Sequence, residues 1–543
     1  MRKLEQEPNT YDSNFTSLTK GVNLEVFNWI LRKIDSKKEI LEIGCGTGKL
    51  AYNIAQKGAK ITAIDKNEKM IEYARNNHLI NPNLDLTYKL GSFKDIKIEN
   101  ASKDFVVSAF MLSELRAFEQ QIFLRFAWNV LKPGGKLIIA AEFIPSHLYK
   151  VAFKIKRWIY KKKLKKLKLK PTHVSNWFFN YIEPMGFKIS AGESWNKGSI
   201  KVIELTKTSN EAPPGNYIPH PKKFLGLKSQ LRLYRCLFTG QIDSVPIEPG
   251  IYRSGSPDQD SPIIVTSNYE FTYIKVMRAL RNIDAWVLCI DSQGINVWCA
   301  ARGGDFGNNQ LLEAIEATEI DKITQNKTLI LPQLSAGGVA IPQLPDNFPF
   351  SIKYGPVWAK DLPKYLEKEP KRKPQEMKLA KFTLFHRIRA GITHTTFLLR
   401  KIFLWPMLFF LILFLGLNWF ERTLWVAEIA IFIILTNIFV FLLFPITKFT
   451  RTFLSKAFIF GGLNLIILSI FTWTLHNSVI YLLLVAPFYF WIAFFSTMSF
   501  SGYTMSTNPR KIQEQYPVFH RINRILAPAS LLLLIISIFF YPY

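Results

Sequence analysis

Glu39-Ile-Leu-Glu-Ile-Gly-Cys-Gly-Thr-Gly48 is an apolar run closed by alternating glycines, E-x-G-x-G-x-G from Glu42 to Gly48. A helical stretch, Lys49 to Lys57, follows. A second strand-like run, Ala59 to Ile64, then ends at Asp65. Glycines let a backbone approach a ligand closely. A carboxylate at the end of the next strand can take both hydroxyls of a ribose. Strand, glycine turn, helix and acidic strand end occur here in that order, which predicts a Rossmann-like nucleotide site near the start of the chain.

Around that site lie 543 residues with 69 Lys+Arg against 41 Asp+Glu, a net charge of +28. The chain is 48% hydrophobic and 14% aromatic, which excludes a disordered polymer. Four Cys exclude a disulfide framework. A mean hydropathy of +0.08 is too apolar for a soluble basic protein. Charge and hydropathy agree if a basic soluble part is joined to a membrane part.

Five apolar runs gather at the C-terminal end, roughly 402–420, 424–444, 456–474, 478–498 and 524–541. Each approaches the ~20 residues that cross a bilayer core. Lys/Arg-rich loops alternate with loops poor in them. Lys381, Arg387, Arg389, Arg400 and Lys401 precede the first run, and Lys448, Arg451 and Lys456 stand in the third polar segment. The positive-inside rule then places the soluble N-terminal part in the cytoplasm, anchored to the cytoplasmic membrane by multiple passes. Met1 to Glu7 leads into polar sequence, so no signal peptide is expected. Glu428 is the ionisable exception within the runs, which favours an anchor over a transporter. Residues 151–170 hold ten Lys/Arg and no acid among apolar side chains. They suit either a solvated helix face or a helix lying on anionic lipid. No nucleic-acid recognition motif accompanies the charge.

A Pro/Gly/Asn-containing stretch, 209–216, divides the soluble part. The expected organisation is a first α/β domain over 1–208, a second over 209–380 and a membrane domain of five transmembrane helices over 381–543. In the second domain, strand-like runs at 262–266, 286–291, 329–332 and 351–355 alternate with helical patterns. After Asp291 comes Ser292-Gln-Gly-Ile-Asn-Val-Trp-Cys-Ala-Ala-Arg-Gly-Gly-Asp-Phe-Gly307. Gly294 and Asn296 can open a helix, with Cys299 in its first turn. There the helix dipole favours a thiolate. Such a cysteine could be a nucleophile, a metal ligand or a core residue.

The first domain resembles the class I S-adenosylmethionine methyltransferases, including those associated with corrinoid proteins. The likeness covers about residues 10–207. It continues in Lys103 to Ser108, similar to the fourth strand, and Leu131 to Lys136, similar to the turn before the fifth. It implies that Glu42, Gly44, Gly46 and Gly48 surround the methionine portion of S-adenosylmethionine and that Asp65 holds the ribose. Ser92 stands where family members often carry an acidic adenine contact. Tyr11 and Asp12 stand where such enzymes close over the ligand, and Ser113-Glu114-Leu115 where acceptor-side residues often lie.

The rest of the chain, about 215–543, resembles the membrane corrinoid-protein family of microbial mercury methylation. Asn296-Val297-Trp298-Cys299-Ala300-Ala301 matches its signature. Gly250 to Arg253, Ser261 to Tyr269 (with Thr266), Ile283 to Trp286, Leu329 to Leu334, Gly338 to Ala340 and Tyr354 to Val357 extend the match. The resemblance implies a corrinoid (cobalamin) cofactor held by Thr266, Asn296, Val297, Trp298, Ala300 and Ala301, with Cys299 as lower axial ligand of cobalt. A thiolate donates strongly to a trans ligand, so it favours release of methyl as a carbanion, the form that alkylates Hg(II). The chain lacks both the D-x-H-x-x-G corrinoid signature and Cys-x-x-Cys ferredoxin motifs. That family works with a separate small ferredoxin, so the resemblance implies a ferredoxin-like iron–sulfur reductant as a partner. Arg302-Gly303 replaces the family's usual Gly-Lys. That departure leaves arsenic, selenium or an organic substrate as other acceptors, and a corrinoid-binding module with an unrelated methyltransferase domain as another function.

Overall fold

A computed structural model describes residues 7–78, 83–145, 177–208, 226–238, 245–297, 300–301, 304–368, 373–378, 383–399, 419–450, 452–497 and 509–542, with 174, 218–219 and scattered positions over 149–159. Two helices open the fold, α1 (Pro8–Thr19) and α2 (Val22–Lys33). Strands β1 (Glu39–Ile43), β2 (Lys60–Asp65), β3 (Leu86–Leu90), β4 (Lys103–Ala109) and β5 (Leu131–Glu142) follow. They alternate with α3 (Lys49–Gln56), α4 (Glu68–His78) and α5 (Ala117–Val130). Two more strands, β6 (Phe187–Trp195) and β7 (Ile200–Lys207), complete a seven-stranded sheet of order β3-β2-β1-β4-β5-β7-β6. The first five strands run parallel, and β7 is antiparallel to β5 and to β6. The Rossmann-like expectation therefore holds. Ile40 and Leu41 of β1 are both fully buried, as a parallel strand covered on both faces requires.

The second unit begins with α6 (Leu227–Phe238). Its sheet holds β8 (Gly250–Ser254), β9 (Ile263–Ser267), β10 (Ala285–Ile290), β11 (Thr328–Leu331) and β12 (Ser351–Tyr354) in the order β12-β11-β9-β10-β8. Only β8 is antiparallel to its neighbour. Helices α7 (Glu270–Ala279) and α8 (Asn308–Thr318) cover it.

The two units share one hydrophobic core. Phe118, Phe123 and Leu124 of α5 belong to the same buried cluster as Ala300, Leu311 and Ala314 of the second unit. Helix α5 is buried nearly all round, with Gln120 and Gln121 as well as Phe118, Ile122 and Phe123 out of solvent. Such a helix must be covered on more than one side, and here α8 packs against it as well as the first sheet. Arg125 of α5 donates to the carbonyls of Glu316 and Ala317 at the end of α8, at 3.0 and 3.1 Å, and lies 3.4 Å from Glu319. A cation at a helix C-terminus complements both the unpaired carbonyls and the dipole.

Next come α9 (Leu384–Leu398), α10 (Trp419–Leu443), α11 (Phe453–His476), α12 (Val479–Ser496) and α13 (Pro509–Ile536). Among the described residues, four segments are long and apolar enough to cross a membrane: Thr423–Ile446, Phe453–His476, Val479–Ser496 and Pro517–Phe540. They coincide with four of the five expected runs. Residues 401–418, which hold nearly all of the first run, lie outside the described residues, as does most of the basic run 151–170. Glu428 has partners: His476 Nε2 at 2.8 Å and the Tyr481 hydroxyl at 3.2 Å. A second ionisable side chain, Lys456, is also buried, with its ammonium 4.9 Å from the Phe444 ring centre.

Candidate functional site

The glycine turn after β1 has the backbone its sequence requires. Gly44 and Gly48 both adopt φ of +76°. A Cβ on Gly44 would stand 2.6 Å from Met111 Cβ, and one on Gly48 2.5 Å from the Tyr88 hydroxyl. No other residue fits either position. Gly46, at φ +53°, faces open space on its Cβ side instead, which leaves room for a ligand. Asp65 closes the turn: Oδ2 accepts from Gly46 N and Oδ1 from Asn67 N, both at 2.9 Å. The Asp65 carbonyl accepts from Gly91 N at 2.9 Å, so Ser92 lies on the same edge. The Ser92 hydroxyl accepts from Lys94 N at 3.3 Å within its own turn.

Glu42 lies beneath this turn, 1% exposed, and its Oε2 has no partner. Burial, reinforced by the nearby Asp65 charge, pushes its carboxyl up to about 8 from an ordinary 4.5. Burial likewise raises the Cys45 thiol well above its usual range. The N-terminal helix covers the turn. Thr47 donates to Asp12 at 2.9 Å, and Phe15 of α1 meets the Phe110 ring edge-on at 5.1 Å. Asp12 thus stands at the site, and Tyr11 stacks on Phe15 beside it. Ser113 Oγ accepts from Glu142 N at 2.9 Å, and Glu114 faces Lys66 at 3.7 Å.

In the second unit the C-terminal ends of β9 and β10 carry buried polar side chains. Thr266 and Ser267 are fully buried and their hydroxyls have no partner. Unsatisfied buried hydroxyls are costly in a finished core, so they fit a site that a polar ligand completes. Asn268, next in line, organises the following turn. Its Oδ1 accepts from Ser292 N (2.9 Å), Ser292 Oγ (3.0 Å) and Gly294 N (2.9 Å), while Nδ2 donates to the Ile247 carbonyl at 3.0 Å. Gly294, at φ +74°, lies so close to Pro246 that a Cβ would be 2.6 Å from its nitrogen.

That turn delivers the chain to a helix. Ala300 N donates to the Asn296 carbonyl at 2.9 Å, and Val297, Ala300 and Ala301 are helical and buried. Asn296 opens the helix as the sequence leads one to expect. Trp298, Cys299, Arg302 and Gly303 lie outside the described residues. The segment packs on Gly338, where a Cβ would lie 2.9 Å from Ala301 Cα and 2.1 Å from the Phe306 carbonyl. Only glycine allows that approach, and this explains Gly338 in the quoted sequence match.

The two sites face a common boundary. Met111, which covers Gly44, belongs to the short helical turn Met111–Glu114 after β4. Arg116, directly behind it, pairs with Asp305 at 3.0 Å, and Asp305 follows the Asn296–Ala301 helix. Arg116 N also donates to Glu119 at 2.9 Å, and Lys94 stands 3.8 Å from Glu119. Glu313 of α8 joins this group, pushed up to about 7 by burial and by Glu119, with Lys94 and Arg116 opposing. Arg116, Asp305 and Asn268 were not among the expected site residues. Their signal is a pairing between distant segments that spacing does not carry.

Residues 40–135 match the Methyltransferase domain family, and residues 222–343 match the CO dehydrogenase/acetyl-CoA synthase delta subunit family. The acetyl-CoA decarbonylase/synthase complex subunit gamma of Methanopyrus kandleri is 34% identical over 137 residues, 25% of this chain and 29% of that protein. Subunit gamma 1 of Methanosarcina thermophila is 32% identical over 143 residues, 26% and 30% of the two chains. The chain thus spans under a third of the length of these relatives. Among solved structures, a SAM-dependent methyltransferase from Methanosarcina mazei is 23% identical over 33% of this chain and 96% of its own, with a TM-score of 0.28. The magnesium protoporphyrin IX methyltransferase of Synechocystis is 17% identical over 34% and 82%, also at 0.28. The chain carries a methyltransferase domain and is an enzyme of methyl transfer. Joined to it is a second domain similar to the delta and gamma subunits of acetyl-CoA-forming complexes.

Proposed function

We propose that the chain is a membrane-anchored methyl relay. Its first unit takes methyl from S-adenosylmethionine, and its second, a corrinoid carrier, delivers it to an electrophilic acceptor. By the sequence resemblance that acceptor is Hg(II) and the product methylmercury. The observation that carries the reading is the Arg116–Asp305 pair over the shared core. It ties the segment covering the glycine turn to the segment behind the helical residues Ala300 and Ala301.

Each residue has a part. The unpartnered Glu42 oxygen suits the α-ammonium of S-adenosylmethionine, Gly46 leaves room for its chain, and Asp65 is placed for the ribose. Thr266 and Ser267 offer hydroxyls to a corrinoid edge, Asn268 fixes the turn, and Cys299 is the axial ligand. A bound corrinoid supplies a cobalt centre able to accept and release a methyl group. The first apolar run completes five spans, the sheets lie on the cytoplasmic side, and a separate iron–sulfur protein supplies electrons.

The direct test gives the full-length protein reduced cobalamin and methyl-labelled S-adenosylmethionine. Label entering the corrinoid fraction is expected. Its absence, with both ligands bound, refutes the relay.

Glu42 makes the first step pH-dependent. Its folded value lies above its unfolded value, so its contribution to stability is full below 4.5 and is lost as pH rises through about 8. The ligand's ammonium needs the charged carboxylate, so binding below about 8 expels a proton. Affinity for S-adenosylmethionine should therefore rise by up to about tenfold per pH unit towards 8. It should fall beyond, as the ligand's α-amino group deprotonates near ~7.7–8.0. In Glu42→Gln the rising limb should vanish in calorimetric titrations, with weaker binding throughout.

Arg116→Ala should leave S-adenosylmethionine affinity unchanged and slow methyl entry into the corrinoid by about 100-fold, the scale of a ~1 Å misplacement. Partial recovery in Arg116→Asp/Asp305→Arg is expected, and single-turnover rates of the three proteins measure both effects.

A further inference from the structure

Helix α6 leaves an apolar stripe uncovered. Leu227, Leu231 and Tyr234, at helical spacing, are 75%, 58% and 52% exposed. The opposite face is firmly seated: Ser229 and Leu233 are buried, Arg278 donates to Ser229 at 2.6 Å, and Arg232 pairs with Glu270 at 2.9 Å. The stripe therefore belongs to a well-anchored helix. The α6 sequence contains Lys228, Arg232 and Arg235 and no acid.

Its neighbour indicates what covers it. Helix α6 packs against α9, and α9 enters the apolar bundle. Arg387 of α9 donates to the Leu442 carbonyl, and Gly391 sits against Phe441, both near the end of the candidate span Thr423–Ile446. Leu384, Phe385, Ile388 and Ile392 of α9 are exposed. Helix α6 thus lies beside a helix that meets the end of the span and has exposed apolar residues of its own. A bilayer holding the spans changes there from acyl chains to headgroups.

We infer that α6 is an interfacial helix, seated in the anionic headgroup region of the same bilayer with Leu227, Leu231 and Tyr234 towards the acyl chains. An amphipathic helix with basic residues and no acid suits that boundary. The inference rests on the membrane reading of α10 to α13. Its consequence is that the paired sheets are held at a fixed height above the bilayer by two attachments, α6 and α9, in place of a single tether.

The test uses the full chain in nanodiscs of phosphatidylcholine and phosphatidylglycerol in equal parts, with p-benzoylphenylalanine placed singly by Leu231→p-benzoylphenylalanine, Ile466→p-benzoylphenylalanine or Ile189→p-benzoylphenylalanine. Ile466 lies within a candidate span and is 58% exposed. Ile189 is 47% exposed on the outer strand β6. Irradiation should give lipid adducts at 231 and 466, several-fold above 189. The yield at 231, unlike that at 466, should fall when phosphatidylcholine alone is used. Adducts at 466 without adducts at 231 overturn the inference and leave the membrane reading intact. Protein adducts at 231 assign the stripe to a protein partner instead. Loss of lipid adducts at 466 removes the membrane reading and the inference together.

Discussion

Under the proposed relay, Cys299→Ala in the cobalamin-loaded protein should change the visible spectrum of the oxidised corrinoid and abolish delivery of methyl to Hg(II). A thiolate below the cobalt pushes electron density towards the opposite ligand, as it does in thiolate-ligated haem. Without it, release of methyl as a carbanion loses its driving force. The loss should exceed the about 10–100-fold typical of altering a residue that merely supports a metal ligand. Cobalamin should still bind, because Thr266, Ser267 and the Asn268 turn remain. A spectrum unchanged by the substitution would refute axial ligation by cysteine. Cys45 and Cys289 are both buried, and burial pushes both thiols up. Among the described residues, neither is poised as a thiolate to take over the role.

The second large effect is expected at Asn268. Its fully buried amide makes four bonds of 3.0 Å or less: one to the Ile247 carbonyl and three from Ser292 and Gly294. Asn268→Ala takes these partners from the Gly294 amide and the Ile247 carbonyl, at about 1–3 kcal/mol each, while Ser292 keeps its bonds to the Ile290 and Ile295 carbonyls. Two such losses are a substantial fraction of the stability of a small domain, about 5–15 kcal/mol. The substitution should therefore loosen the 291–296 turn that leads into Val297. Cobalamin retention should fall sharply, while binding of S-adenosylmethionine at the first sheet persists. Asn268→Asp is the informative companion. It keeps the three accepting interactions but sets a buried carboxylate against the Ile247 carbonyl and Asp291, 3.0 and 3.3 Å from the amide nitrogen, so it should retain more cobalamin than the alanine variant only at acid pH, where the new carboxyl is protonated. Gel filtration with the corrinoid absorbance as readout distinguishes the two. Equal retention by all three proteins would show that the turn does not hold the cofactor.

Both effects began as different kinds of sequence signal. Cys299 stood out because one cysteine in an expected helix matched a family signature. Asn268 lay inside a quoted match but had no visible task, because its partners, Ser292 and Gly294, are 24 and 26 residues further on. Arg116 and Asp305 were more remote still, separated by 189 residues. One trace of that contact was present in the sequence. Helix α5 has apolar or aromatic residues on nearly every face, at Phe118, Ile122, Phe123, Phe126 and Trp128. A helix lying on the outside of a sheet would leave one side polar.

What the sequence alone determined is local. The glycine turn, the acidic end of β2, the apolar lengths of four candidate spans and the opening of the helix at Asn296 follow from neighbouring residues. Backbone conformation, helix capping and hydropathy act over a few positions. The tertiary structure alone decided which surfaces meet. The α5–α8 contact, the Arg116–Asp305 pair and the placement of α6 beside α9 join segments far apart in the chain. Burial rewards any complementary apolar face, and no spacing rule names the partner. In this chain, that choice sets the two sites against one boundary.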